Sequence, residues 1–135
     1  MIEEAYVSFE VAKLLKEKGF DEKSNRVYQG PNLKYTTLDI SPLMCLGELG
    51  GFNPKQLYIT NSELGDIVYT APTQQMAMAW LRKKGLHINI TYKNLPMSNY
   101  LYYWNIVEYE DIEGSEKTYE EAVEAALKYC LKNFI

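Results

Sequence analysis

The side chains able to do chemistry are few and scattered. The chain has one histidine, His87, and two cysteines, Cys45 and Cys130. It has a short basic cluster, Arg82-Lys83-Lys84, with Lys93 beyond it, and an acidic run made of Glu108, Glu110, Asp111, Glu113 and Glu116. Histidine titrates near neutrality, but a general base needs a positioned partner and a zinc site needs three or four ligands. No second histidine exists and the cysteines stand 85 positions apart, so His87 reads as a plain surface or half-buried residue. The acidic run lacks the alternating spacing of a calcium loop and reads as a solvated connection. Nucleophile-elbow and phosphate-loop motifs are missing; Gly47-Glu48-Leu49-Gly50-Gly51 has the glycines but no Lys-Ser/Thr. The expectation is a protein without catalytic residues, metal site or cofactor.

Binding is the better prospect. From Ile67 to Val107 there is no Asp or Glu, although the whole chain has a formal charge of −4. That segment holds Arg82, Lys83, Lys84, Lys93 and His87 together with Trp80, Trp104, Tyr69, Tyr92, Tyr100, Tyr102 and Tyr103. Cations beside aromatic rings suit a single-stranded nucleic acid, with lysines on phosphates and rings under bases. The same pattern also arises when cations complement a helix C-terminus and buried strands exclude acids. About three phosphate contacts predict a salt slope near −2, or ~20-fold weakening from 50 to 200 mM salt. That is too little for tight binding by itself. The candidate binding residues are Arg82, Lys83, Lys84, Lys93, Tyr100, Tyr102, Tyr103 and Trp104.

The bulk properties narrow the class. A chain of 135 residues, 47% hydrophobic and 24% charged, is expected to fold as a single domain over 1–135 that buries roughly two-thirds of its unfolded surface. No apolar run approaches the ~20 residues needed to span a bilayer, and the acidic Met1-Ile2-Glu3-Glu4 start is unlike a signal peptide. Two thiols in a chain that needs no staples suggest reduced cysteines and a cytoplasmic location. The net acidity argues against a generic nucleic-acid binder. Twelve tyrosines suit surfaces that are apolar on one side and wet on the other.

Three helices must position these residues. The spacing predicts one from Ser8, as N-cap, to about Lys18, closed by Gly19 with Phe20 folded back. A second follows Ala71-Pro72-Thr73 and ends at Gly85. A third starts at the Thr118–Glu121 capping box and carries the stripe Tyr119, Ala122, Val123, Ala126, Leu127, Cys130, Leu131. Between the last two, Ile88, Ile90 and Tyr92 alternate with His87, Asn89 and Thr91 as in a strand, and residues 101–109 form a second, aromatic on both sides. Arg26–Gln29 and Leu33–Thr37 flank a Gly30-Pro31-Asn32 turn, and Leu57–Thr60 and Ile67–Thr70 are short strand candidates. Residues 38–56 read as a loop-rich insertion.

Three blocks resemble a known family. They are Phe9-Glu10-Val11-Ala12-Lys13-Leu14-Leu15-Lys16-Glu17-Lys18-Gly19-Phe20-Asp21-Glu22, then Ala71-Pro72-Thr73-Gln74 with Trp80-Leu81-Arg82 and His87-Ile88, then Lys117-Thr118-Tyr119-Glu120-Glu121-Ala122-Val123-Glu124-Ala125-Ala126-Leu127-Lys128-Tyr129-Cys130-Leu131. Together they look like small uncharacterised proteins of gut bacteria and their phages or integrated mobile elements. The match covers a little under half of the chain. It implies a cytoplasmic, phage-related protein and transfers no site.

The resulting expectation is an α+β fold: an antiparallel sheet with a central hairpin, packed by three helices on one face. Trp80, Leu81, Leu127, Leu131, Ile88, Ile90 and Ile106 should form the core, with Trp104 and some hairpin tyrosines on the opposite face. The leading function is a small non-enzymatic protein-binding or adaptor protein, self-associating or binding another protein through an aromatic sheet face. The alternative is a weak single-stranded nucleic-acid binder. No membrane partner is expected.

Overall fold

A computed structural model describes residues 4–30, 34–36 and 58–135. The fold is α+β and its backbone contacts divide it into two compact units. The insertion expected at 38–56 lies outside the described residues.

The first unit is Tyr6–Pro72. Helix α1 (Phe9–Glu17) starts where the Ser8 side chain accepts from the Val11 N–H, a cap worth about 1 kcal/mol. It stops at Gly19, whose φ of 91° lets the Phe20 N–H return to the Leu15 carbonyl. Strand β1 (Arg26–Tyr28) pairs antiparallel with β2 (Lys34–Thr36) on one side and β3 (Tyr69–Thr70) on the other. The strands read on either side of Gly30-Pro31-Asn32 therefore pair; residues 31–33 lie outside the described residues. Val11, Ala12, Leu15, Phe20, Val27 and Ile59 are fully buried. Asn61, in a short 3₁₀ turn, ties this core together: its amide donates to the Phe20 carbonyl and accepts from the Thr70 N–H, both at 2.8 Å.

The second unit is Thr73–Ile135 with the chain up to Ala5. Helix α2 (Gln74–Lys83) is capped by Thr73, which accepts from the Met76 N–H, and is closed by Gly85 at φ 86°. Strands β4 (Ile88–Tyr92), β5 (Tyr102–Ile106) and β6 (Tyr109–Glu116) form an antiparallel sheet with β5 in the middle. Helix α3 (Tyr119–Asn133), capped by Thr118, buries Ala122, Val123, Ala126, Leu127, Cys130 and Leu131. It packs on all three strands, and α2 packs on α3.

The structure departs from the sequence pattern at three points. Among the described residues of this unit, α3 is the helix that packs closely on the sheet, and α2 packs on α3. Helix α1 packs with β3 in the first unit, and an apolar helical stripe does not say which sheet it meets. The acidic run Glu108–Glu116, read as a solvated connection, is largely strand β6 (Tyr109–Glu116): an edge strand tolerates Glu110, Asp111 and Glu113 because their charges reach water. Trp104 is not on the open face. It is 7% exposed and its ring lies 6.0 Å from Tyr129 of α3.

Candidate functional site

The register fixes which side chains share a face. Ile88 pairs with Ile106, Ile90 with Trp104 and Tyr92 with Tyr102, and side chains directly opposite lie on one side of a sheet. Trp104 meets Tyr129, and Tyr102 meets the Tyr119 ring at 6.3 Å, so this is the side that α3 covers. Tyr109 and Phe134 stack at 4.0 Å and 10° at its far end. The open face is mostly polar: Asn89 donates to Asn105 at 3.2 Å, Thr91 lies beside Tyr103, and Lys93 holds its ammonium 4.7 Å above the Tyr103 ring. Of the aromatic residues predicted to form a binding face, β5 presents only Tyr103 there.

The basic residues do not form one patch. Arg82, Lys83 and Lys84 are exposed at the end of α2, with the Lys84 ammonium 4.5 Å from the Trp80 ring. They precede β4, whereas Lys93 follows it. Six residues of extended chain from His87 to Lys93 span roughly 20 Å. The fold instead brings Lys93 near a residue that sequence reasoning missed, Lys117. It lies just before the α3 cap, with its ammonium 5.7 Å from the Tyr100 ring. No local motif marks Lys117; only the Tyr102–Glu116 register brings it to this end of the sheet.

That end is the candidate site. Its centre is the β4–β5 connection, where Tyr92 is 55% exposed, Leu95 46%, Tyr100 48%, and Met97 fully exposed. The Ser98 N–H donates to the Leu95 carbonyl at 3.3 Å. Pro96 occupies the second position of this turn and Met97, at φ 72°, the third, the arrangement of a type II turn. The Lys93 N–H donates to the Leu101 carbonyl and the Tyr100 N–H to Ser98 Oγ, which fixes the base of the loop. Tyr92 and Tyr102 lie 5.2 Å apart, and Gln75 donates to the Tyr119 hydroxyl beyond them.

The opposite end carries the histidine. The His87 N–H donates to Glu108 Oε1 at 2.6 Å and its Nδ1 lies 2.7 Å from Oε2, while the Val107 N–H donates to the His87 carbonyl. The His87 N–H is the chief cause holding the Glu108 carboxyl below its ordinary range; the imidazole adds to it. This is a latch between the start of β4 and the β5–β6 turn, with no third group to make it a proton relay among the described residues. Cys130 is fully buried, and burial, followed by the Glu108 charge, pushes its thiol up to about 12. Such a thiol is unreactive.

In the first unit the Lys16 ammonium donates to the Gly65 and Val68 carbonyls, both at 2.7 Å, and lies 5.2 Å from the Tyr69 ring. Desolvation lowers its pKa, against the opposing charge of Asp66. These contacts close the turn before β3. Among the described residues there is no cluster of His, Cys, Asp or Glu able to hold a metal ion, and no helix long and apolar enough to cross a membrane.

The chain matches no protein-family model, no curated protein and no solved structure. The resemblance of the three sequence blocks adds no residue to the site.

Proposed function

We propose that this chain is a small non-enzymatic protein-binding module whose contact surface is the apolar end of the β4–β5 hairpin. The observation that carries this is Met97. The third position of a type II turn suits glycine or asparagine, and a left-handed conformation costs another residue about 1 kcal/mol. Here that position presents a fully exposed methionine. Backbone strain spent on an apolar side chain in water is a mark of binding loops, and methionine adapts to irregular partner surfaces. Leu95, Tyr92 and Tyr100 enlarge the anchor, and Lys93 and Lys117 give it a cationic rim. The partner is a protein with an apolar cleft edged by acidic residues.

The test is Met97→p-benzoylphenylalanine, photocrosslinked in the cells that make the protein. A discrete adduct that disappears on adding Leu95→Asp is expected. No adduct, or one indifferent to Leu95→Asp, refutes the reading.

Single-stranded nucleic acid is the second reading, favoured by the Lys93–Tyr103 and Lys117–Tyr100 pairs. Magnitude ranks it lower. Two phosphate contacts give a salt slope near −1.4, or about 7-fold weakening from 50 to 200 mM salt, and Glu116 lies across from Tyr102. Anisotropy of a labelled single strand at both salts, with Lys93→Glu and Lys117→Glu, decides it.

A further inference from the structure

We infer that β4 is a seam at which a second copy of this chain extends the sheet. The ladder shows which peptide groups are available. The Lys93 N–H donates to the Leu101 carbonyl at 2.8 Å and the Val107 N–H to the His87 carbonyl at 2.9 Å. Antiparallel pairs alternate between bonded and non-bonded positions, so His87, Asn89, Thr91 and Lys93 turn their peptide groups toward β5. Ile88, Ile90 and Tyr92 turn theirs the other way. Among the described residues of this unit no strand pairs with that side.

The two edges of the sheet are built differently. Soluble proteins blunt a free edge with charge, proline or a bulge. Strand β6 has Glu110, Asp111, Glu113 and Glu116, and its pairing with β5 is interrupted by a register shift at Asn105/Ile106. Strand β4 reads Ile-Asn-Ile-Thr-Tyr and has none of these devices. Ile88 and Ile90 are only half-buried.

A second β4 fits this edge in both backbone and charge. Antiparallel pairing with full overlap sets Ile90 opposite Ile90 of the second copy and Ile88 opposite its Tyr92. All outward peptide groups then meet outward peptide groups. One step further along, Lys93 falls opposite His87 of the second copy, the residue clamped by the Glu108 carboxylate. The two-fold repeats this contact, so each copy gives one ammonium and receives one. The arrangement closes on itself, whereas pairing β4 with β6 of another copy would propagate without end. The outcome is a six-stranded sheet with both α3 helices on one side. This seam shares Tyr92 and Lys93 with the loop-end surface, but Leu95, Met97 and Tyr100 lie beyond the strand, so variants there separate the two.

The experiment is sedimentation velocity on the full chain from micromolar to several hundred micromolar, because a seam this short makes a weak dimer. Asn89 and Thr91 are exposed and face each other across the proposed seam. Asn89→Lys with Thr91→Lys sets like charges opposite, and Asn89→Lys with Thr91→Glu sets unlike charges opposite. The wild type should dimerise, and the second double variant should associate about tenfold more tightly than the first. Both replace the same two side chains, so losing the native Asn89 and Thr91 is common to them, and thermal unfolding of each monomer checks that they are equally stable. A wild type that is monomeric throughout, or double variants that associate equally, overturns the proposal. Leu95→Ser with Met97→Ser should dimerise like the wild type; loss of the dimer there would place the contact at the loop and overturn the seam.

Discussion

Gly114→Ala should damage the second unit by overpacking. The residue pairs with Trp104 across β5 and β6, and the indole occupies the space a side chain would take. A Cβ built there would sit 2.5 Å from Nε1, 2.6 Å from Cε2 and 2.7 Å from Cζ2 of Trp104. Ordinary contact between such atoms needs about 3.5 Å, so the ring must retreat by about 1 Å. It has little room. Trp104 packs against Tyr129, Tyr129 against Phe134, and Phe134 is stacked on Tyr109. Its indole N–H also has no hydrogen-bond partner among the described residues to guide it to a new position. Inserting one methyl into such a site costs about 1–3 kcal/mol. Both tryptophans, Trp80 and Trp104, belong to this unit, so urea unfolding followed by tryptophan emission reports on it directly. The midpoint should fall while the slope stays constant. Trp104→Leu removes the obstructing ring, so adding Gly114→Ala to it should cost much less than adding it to the wild type. A loss below about 0.5 kcal/mol in the wild type, the usual range of a neutral surface change, would refute the packing argument. So would an equal cost in both backgrounds.

Glu108→Gln should lower stability at neutral pH. The folded carboxyl titrates below its unfolded value, so its contribution is present above about pH 4.3 and is lost as pH falls through the folded pKa. Urea midpoints of wild type and variant should differ at pH 7 and draw together as pH falls below the ordinary carboxylate range. Asn61→Ala should cost about 2–4 kcal/mol in the first unit, because it strands the Phe20 carbonyl and the Thr70 N–H in a buried site; hydrogen exchange at Thr70 should rise with it. Met97→Gly should leave the fold intact and raise stability by up to about 1 kcal/mol, measured by thermal unfolding. Cys130 should resist iodoacetamide in the native protein and react only after unfolding, as peptide mapping by mass spectrometry would show.

The helices were legible because their ends are local chemistry. Ser8, Thr73 and Thr118 each accept from the N–H three residues on, and Gly19 and Gly85 occupy left-handed positions that end helices. The alternation of 88–92 and 102–106 was equally local. Strand β6 was illegible because Tyr109-Glu110-Asp111-Ile112-Glu113-Gly114-Ser115-Glu116 has almost no apolar alternation: an exposed edge strand is held by its neighbour's ladder and by the groove Gly114 leaves for Trp104. Alternation also says which residues share a face without saying which face a helix covers, and that misplaced Trp104. The candidate site was half legible. Lys93, Tyr100, Tyr102 and Tyr103 do gather at one end of the sheet, but Arg82, Lys83 and Lys84 are held at the other, and Lys117 arrives from a distant segment. Only the register of three strands could reveal that exchange.

The acid-free stretch from Ile67 to Val107 takes on a different meaning once its segments are placed. It supplies β3 of one unit and α2, β4 and β5 of the other, and the acids resume at Glu108, just before β6. A central strand such as β5 excludes acids because neighbours cover it. Burial does not explain their absence from β4, where Asn89, Thr91 and Tyr92 are exposed. An edge strand that had only to stay soluble would tolerate lysine or glutamate at 89 and 91, as β6 tolerates Glu110, Asp111 and Glu113. Burial alone therefore does not explain the asymmetry between the two edges. A neutral β4 flanked by Lys93 and the His87–Glu108 latch satisfies one requirement that an acidic or basic β4 would not: it can lie antiparallel to its own copy without placing like charges opposite each other.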